Sequence, residues 1–505
     1  MNTSTFDAGL SGGQRSNRVL QVVLVLTLLS ALFLGLLATT SNLVVVGMGL
    51  GLVGGAFLLA APRLVVWLVL ALSLSTGALI SIAGPAYIKL PWSISLMTFL
   101  LWPMALLHMT QRKRLPLFIW LAFTFVMVSV LTTAAQWYSL SEFLAGFKRY
   151  FQAYGLLFAL AALPFTFDDM RRWQKLLLAI ALLQLPFAIY EFLVLVPLRG
   201  GLESGGSAAT DVVAGTFGAN LNGGSANAEM AAFLVIMLGF LLSRWRAGLM
   251  SGGTALLLGA LCTIPLGLGE TKIVLILIPL AGAILLRKDF FRSPLRYLPA
   301  LLLLMLVTAV LGWIYISVMM SSTLEFVLEN TFRYNLESVG YGEALLNRTS
   351  VMTFWWERHG WHDPVGFLFG HGIGSAFWAP NNPIAGHIGM HFPRYSIDLT
   401  TISSLLWDTG LVGLVLYLSM MLFAWVAANR LWRESANETV RADALAIQAA
   451  IAVFVLFLFY SSSAVNLLPF QIFTAAVLGY LAFLFRNAKN ELRKRKPFFA
   501  YGSAR

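Results

Sequence analysis

The residues able to do chemistry in this 505-residue chain are few and gathered. Five of its six histidines, His359, His362, His371, His387 and His391, fall in one late stretch, and only His108 stands apart. Beside that stretch, or at the ends of apolar runs, stand Glu142, Lys148, Arg149, Glu270, Lys272, Arg348, Asp398 and Asp408. Clustered cations suit a diphosphate, which arginine grips with a two-pronged fork. A histidine within reach can take the proton of an attacking hydroxyl, because its unperturbed pKa is close to working pH. Cations that stabilise a leaving diphosphate make a metal unnecessary for that step, so neither metal nor cofactor is expected.

Each of these groups also has a plainer reading. Lys148 and Arg149, in FLAGFKRYFQAYG, can snorkel to headgroups. Glu270 and Lys272, in GLGETKIVLILIPL, can close a turn as a solvated pair of little energetic weight. His359-x-x-His362-Asp363 has ligand-like spacing but lacks a fourth partner at a diagnostic interval.

The elements that must position these residues are membrane helices. Hydrophobic residues make up 59% of the chain and charged ones 11%, with mean hydropathy +0.80. An ordinary soluble protein carries about 25% charged residues. Apolar runs of roughly 17 to 25 residues, each able to cross a hydrocarbon core, recur from end to end. The fold class is therefore all-α, a single polytopic membrane domain over residues 1–505. A transmembrane barrel would alternate in segments of about ten residues. Cys262 is the one cysteine, which excludes an intrachain disulfide. The first run, Val19 to Ala38, reads as a retained helix. The GxGxxG in GMGLGLVGG lies within a helix, where Gly47, Gly51 and Gly55 serve packing rather than a dinucleotide.

About fourteen transmembrane helices are expected, centred near residues 28, 52, 72, 101, 125, 154, 185, 235, 260, 279, 307, 415, 454 and 476. With the N-terminus inside, about 25 Lys and Arg fall in inner loops and about seven outside. Both termini are then cytoplasmic. The net charge of +12 becomes a topology signal and an affinity for anionic membrane lipids, with no nucleic acid implied. Two long segments fall outside: a Gly/Ser-rich loop over 197–226 and a large loop over 319–401, with a surface helix expected near Ala344–Trp356. Residues 486–505 form a basic cytoplasmic tail. Charges gathered at the outer face beside a large loop, without internal repeats, speak against a transporter or flippase.

Three stretches resemble the bacterial O-antigen ligases and O-antigen or exopolysaccharide polymerases. They are GTFGANLNGGSANAEMAAFL (215–234), GLGETKIVLILIPLAGAILL (267–286), and NRTSVMTFWWERHGWHDPVGFLFGHGIGSAFW with LLWDTGLVGLVLYL (347–378 and 405–418). The resemblance implies metal-independent transfer of a glycan from undecaprenyl diphosphate at the outer face of the bacterial inner membrane. The acceptor would be another glycan, for a polymerase, or lipid A core, for a ligase. A chain-length regulator is a possible partner. Carried over by position, Lys272 and Arg348 bind the diphosphate, joined by Lys148 or Arg149. Glu270, where relatives usually have a small residue, is left to orient Lys272 or contact the acceptor, with Asn220 and Asn222 in the same acceptor or orienting group. The family places a His-Asn pair shortly before the closing glycine motif, where this chain has Leu399 and Thr400. The base is then sought among His391, His371 and Asp398, and the departure tilts the expectation from ligase to polymerase.

Overall fold

The computed structural model describes residues 60–83, 90–111, 115–198, 212–221, 226–269, 271–293, 344–378 and 385–495, with scattered positions in 55–60 and 295–340. The helices expected near residues 28, 52 and 307, the glycines Gly47 and Gly51, the residues Glu270 and Asn222, and the last part of the basic tail lie outside the described residues. The chain divides into two units, Met1–Val65 and Val66–Arg505, and the candidate site residues all belong to the second.

Among the described residues every regular element is helical. In chain order these are α1 Pro62–Leu74, α2 Thr76–Ala83, α3 Leu90–Gln111, α4 Leu117–Ala135, α5 Leu140–Phe151, α6 Tyr154–Ala162, α7 Phe167–Tyr190, α8 Asn227–Arg246, α9 Gly252–Leu268 and α10 Val274–Arg292. Then come α11 Ser350–Arg358, α12 Pro364–Phe369, α13 His387–His391, α14 Thr401–Glu434, α15 Glu438–Tyr460, α16 Ser463–Asn466 and α17 Leu468–Arg495. Seven stretches among the described residues are long and apolar enough to cross a membrane, α7 reaching Leu198 through a π-helical turn. α1, α9 and the apolar part of α10 are shorter. Eleven of the expected helix centres thus coincide with helices. The basic segment after residue 486 is an extension of α17, helical as far as Arg495.

The core is built from α14, α15, α17 and α8. Phe454, Phe470, Phe473 and Phe233 interlock there edge to face and Phe457 stacks on Phe470, all almost wholly buried. Such contacts contribute about 0.5–1.5 kcal/mol each beyond simple burial. Polar groups at the two ends of this bundle join the helices. At one end Arg244 clamps Asp443 through Nε and Nη2, both at 2.8 Å, with Gln174 and Tyr480 completing the cluster. At the other end lie the segments 344–378 and 385–400, together with the starts of α5, α8, α10, α14 and α17. We call this the loop-bearing end.

Within the Gly/Ser-rich segment over 197–226, residues 212–217 are packed into the protein. Val212, Val213 and Ala214 are fully buried. Glu191 takes the N–H groups of Ala214 (2.9 Å) and Gly215 (2.7 Å), and Gln184 takes that of Thr216 (2.9 Å). Irregular backbone survives between membrane helices only when its polar groups are satisfied by protein, and these side chains do that. The surface helix expected from Ala344 begins later, at Ser350, because the Asn347 side chain accepts the N–H groups of Thr349 and Ser350 and folds the preceding residues into a turn.

Candidate functional site

The site is organised by a break in α14. Gly410, at φ +64°, interrupts the helix where it meets the end of α12; a Cβ there would lie 2.4 Å from the Leu368 backbone. Asp408, two residues earlier and buried, turns its carboxylate into the loop Gly370–Phe377. It accepts the N–H of Gly374 (3.0 Å) and Ala376 (2.7 Å), the Ser375 hydroxyl (2.8 Å) and the Tyr150 hydroxyl (2.9 Å). The carbonyls of Trp407 and Asp408 take the N–H groups of His371 and Gly372, each at 2.9 Å. One acidic side chain therefore shapes the whole glycine loop and ties it to α5. Asp408 is a structural clamp.

α5 covers the other side of that loop. Gly146 makes the approach possible, since a Cβ on it would stand 2.2 Å from the Ile373 carbonyl oxygen. Glu142, Gly146 and Arg149 are spaced four and three residues apart and so share one helix face. Glu142 is buried and accepts the His387 backbone N–H (2.7 Å) and its Nδ1–H (3.0 Å). The His387 ring stacks on Tyr138, with centroids 4.3 Å apart and planes 16° from parallel. With Nδ1 donating to a carboxylate, Nε2 carries the lone pair, and the ring is held in one orientation. This is the arrangement of an oriented general base.

At the other end of the same face the Arg149 guanidinium lies over the Phe377 ring, while Lys148, turned to a different face, sits 4.9 Å above Trp92 of α3. The Gly386 N–H donates to the Phe377 carbonyl at 2.7 Å, so Arg149 and His387 border the same two loop strands. The two cations lie in the last turn of α5, and the chain breaks at Gln152–Ala153 before α6. Asp398 faces Arg149; burial pushes its carboxyl up to about 7, and the Arg149 charge opposes the rise.

Arg348 and Lys272 are at the same loop-bearing end. Arg348 Nε donates to the Tyr460 carbonyl at 2.7 Å, and its guanidinium stacks 4.4 Å from the Tyr460 ring centre. The next residue, Ser461, accepts the Thr401 N–H at 2.9 Å and donates its hydroxyl to Glu229 at 3.1 Å. Two residues before Glu229, Asn227 donates to the carbonyls of Gly269 (2.7 Å) and Val213 (2.8 Å) and accepts the Thr271 hydroxyl. The turn bearing Lys272 is thereby fixed, with Lys272 itself exposed. Asn220 is exposed at the end of the Gly-Thr-Phe-Gly segment.

The histidines divide by environment. His391 is exposed, with its Nδ1 turned back 2.6 Å from the His387 carbonyl oxygen. His362 is exposed as well. His371 meets buried His359, with Nε2 atoms 2.7 Å apart, and both pack on Trp407. Burial, with His359 alongside, holds His371 down to about 4. The Glu142–His387 pairing spans 245 residues, which is why sequence spacing did not reveal it. Its members were visible only as a lone acid and as one histidine of five. In comparisons with known proteins, no family model and no curated protein matches the chain.

Proposed function

We propose that this chain is a membrane glycosyltransferase that polymerises glycan carried on undecaprenyl diphosphate, working at the outer face of a bacterial inner membrane. The observation that supports the reading best is α5, which sets a carboxylate-held histidine and Arg149 along one loop, with Lys148 as the neighbouring cation against Trp92. In this scheme His387 Nε2 takes the proton of the acceptor hydroxyl. The resulting oxygen attacks the anomeric carbon of the donor, and the bond from that carbon to the diphosphate oxygen breaks. Glu142 stabilises the imidazolium. Arg149 and Lys148 neutralise the departing lipid diphosphate, with Arg348 and Lys272 as further cations at the same end. His387 thus replaces His391 as the preferred base, because its ring is oriented by a carboxylate. The proposed orientation puts the loop-bearing end outside and both termini in the cytoplasm.

The lipid-linked product profile of a strain lacking the chain, complemented by wild type or by His387→Ala, tests this. Single repeat units should remain on the carrier in the deletion and in the His387→Ala strain, with long chains restored by wild type. Full-length unligated chains would make it a ligase instead. An unchanged profile in the deletion would remove glycan transfer altogether.

A further inference from the structure

The fold gathers a second group of chemically capable side chains beside the glycine loop. His359 closes α11, Asp363 caps α12, and His371 belongs to the loop itself. One ligand atom from each lies within 4.8 Å of the other two. We propose that His359, Asp363 and His371 bind a divalent transition-metal ion, zinc by chemistry, which fastens the glycine loop to the end of α11.

Three features support this. The His359 Nδ1–H donates to the Trp355 carbonyl at 3.0 Å, which leaves Nε2 as the lone-pair nitrogen and points it at His371. That is the outer hydrogen bond a metal-bound histidine characteristically makes. Asp363 gives Oδ1 to the Gly366 N–H at 2.9 Å, and Gly366 has no Cβ to displace the carboxylate; a Cβ would stand 2.1 Å from Oδ2. Finally, the two Nε2 atoms approach to 2.7 Å, closer than the roughly 3.3 Å separating two nitrogens bound at about 2.0–2.1 Å to tetrahedral zinc. Opening the pair by about half an ångström seats the ion, with the carboxylate third and water fourth. His371 and Asp363 are half-buried, so water has access. Two nitrogens and one oxygen favour zinc or its first-row neighbours over magnesium or calcium. The residue missing from the sequence spacing was His371, while His362, which the spacing offered, stays exposed.

The untagged full-length protein in detergent, stripped with a chelator and dialysed, provides the test. Zinc added alone should restore about one bound ion per chain by elemental analysis and raise the melting temperature. Cobalt should give the visible bands of a four-coordinate site. His371→Ala and Asp363→Asn should each weaken zinc binding at least about tenfold, and His362→Ala should leave it unchanged. Wild type that takes up no stoichiometric zinc would overturn the site and leave a hydrogen-bonded imidazole pair. Zinc retained undiminished in both ligand variants would overturn it too. Metal content and cobalt spectra are read without a transfer assay, so the result is separate from the fate of the proposed function.

Discussion

At the scale of single residues, environment decides which of many polar groups is usable. His391 and His387 are one helical turn apart, yet a buried carboxylate orients only His387. Asp398 is ordinary in sequence but held near 7 by burial, facing Arg149 and Asp408. Between its usual value of 3.8 and about 7, the folded protein keeps a proton that the unfolded chain has released. Stability from this group is therefore fullest at the acidic end of that window and is lost as pH rises through 7. Melting temperatures in detergent should fall between about pH 5 and pH 8 for wild type and much less for Asp398→Asn. An equal slope in both proteins would mean that another group titrates there.

At the scale of elements, the glycine loop is held between α5 and α14. Gly146→Ala puts a Cβ 2.2 Å from the Ile373 carbonyl, so helix and loop must separate. Such overpacking costs about 1–3 kcal/mol, and it should shift His387 relative to Arg149. The expected result is a lower melting temperature with a larger fall in turnover than in substrate affinity. Asp408→Ala is harsher. It strands two backbone N–H groups and two hydroxyls in the interior, at about 1–3 kcal/mol for each group left unsatisfied. Thermal melting and protease resistance of the 370–377 loop report on this directly. A loop as resistant as wild type in Asp408→Ala would show that the clamp is dispensable.

At the scale of the whole molecule, the loop-bearing end collects cations from segments far apart in the chain. Lys272 and Arg348 reach that end in the turns before α10 and α11, which are linked through Asn227, Glu229 and Ser461, and Arg149 reaches it on α5. The opposite end is held independently by Arg244 and Asp443. Lys272→Ala and Arg348→Ala should each abolish long-chain glycan while membrane insertion is kept, with the melting temperature near wild type for exposed Lys272→Ala and lowered for Arg348→Ala, which loses its hold on Tyr460. Wild-type chain lengths in either variant, measured on gels of the glycan product, would take that residue out of the proposed diphosphate site.

The sequence by itself determined the helical membrane class, since long apolar runs have no other stable state in lipid. It also singled out a late histidine-rich stretch as a candidate for chemistry, because charges and histidines near apolar runs are scarce enough to count. Lys148 and Arg149 were legible as cations at a helix end, though not as the closing turn of α5. The pairings were decided only by tertiary structure. Glu142 with His387, Asp408 with the glycine loop, and His359 with Asp363 and His371 all depend on how α5, α11 and α14 converge. A hydrogen bond or a ligand set needs atoms within a few ångströms, and separation along the chain says little about that distance once helices pack side by side.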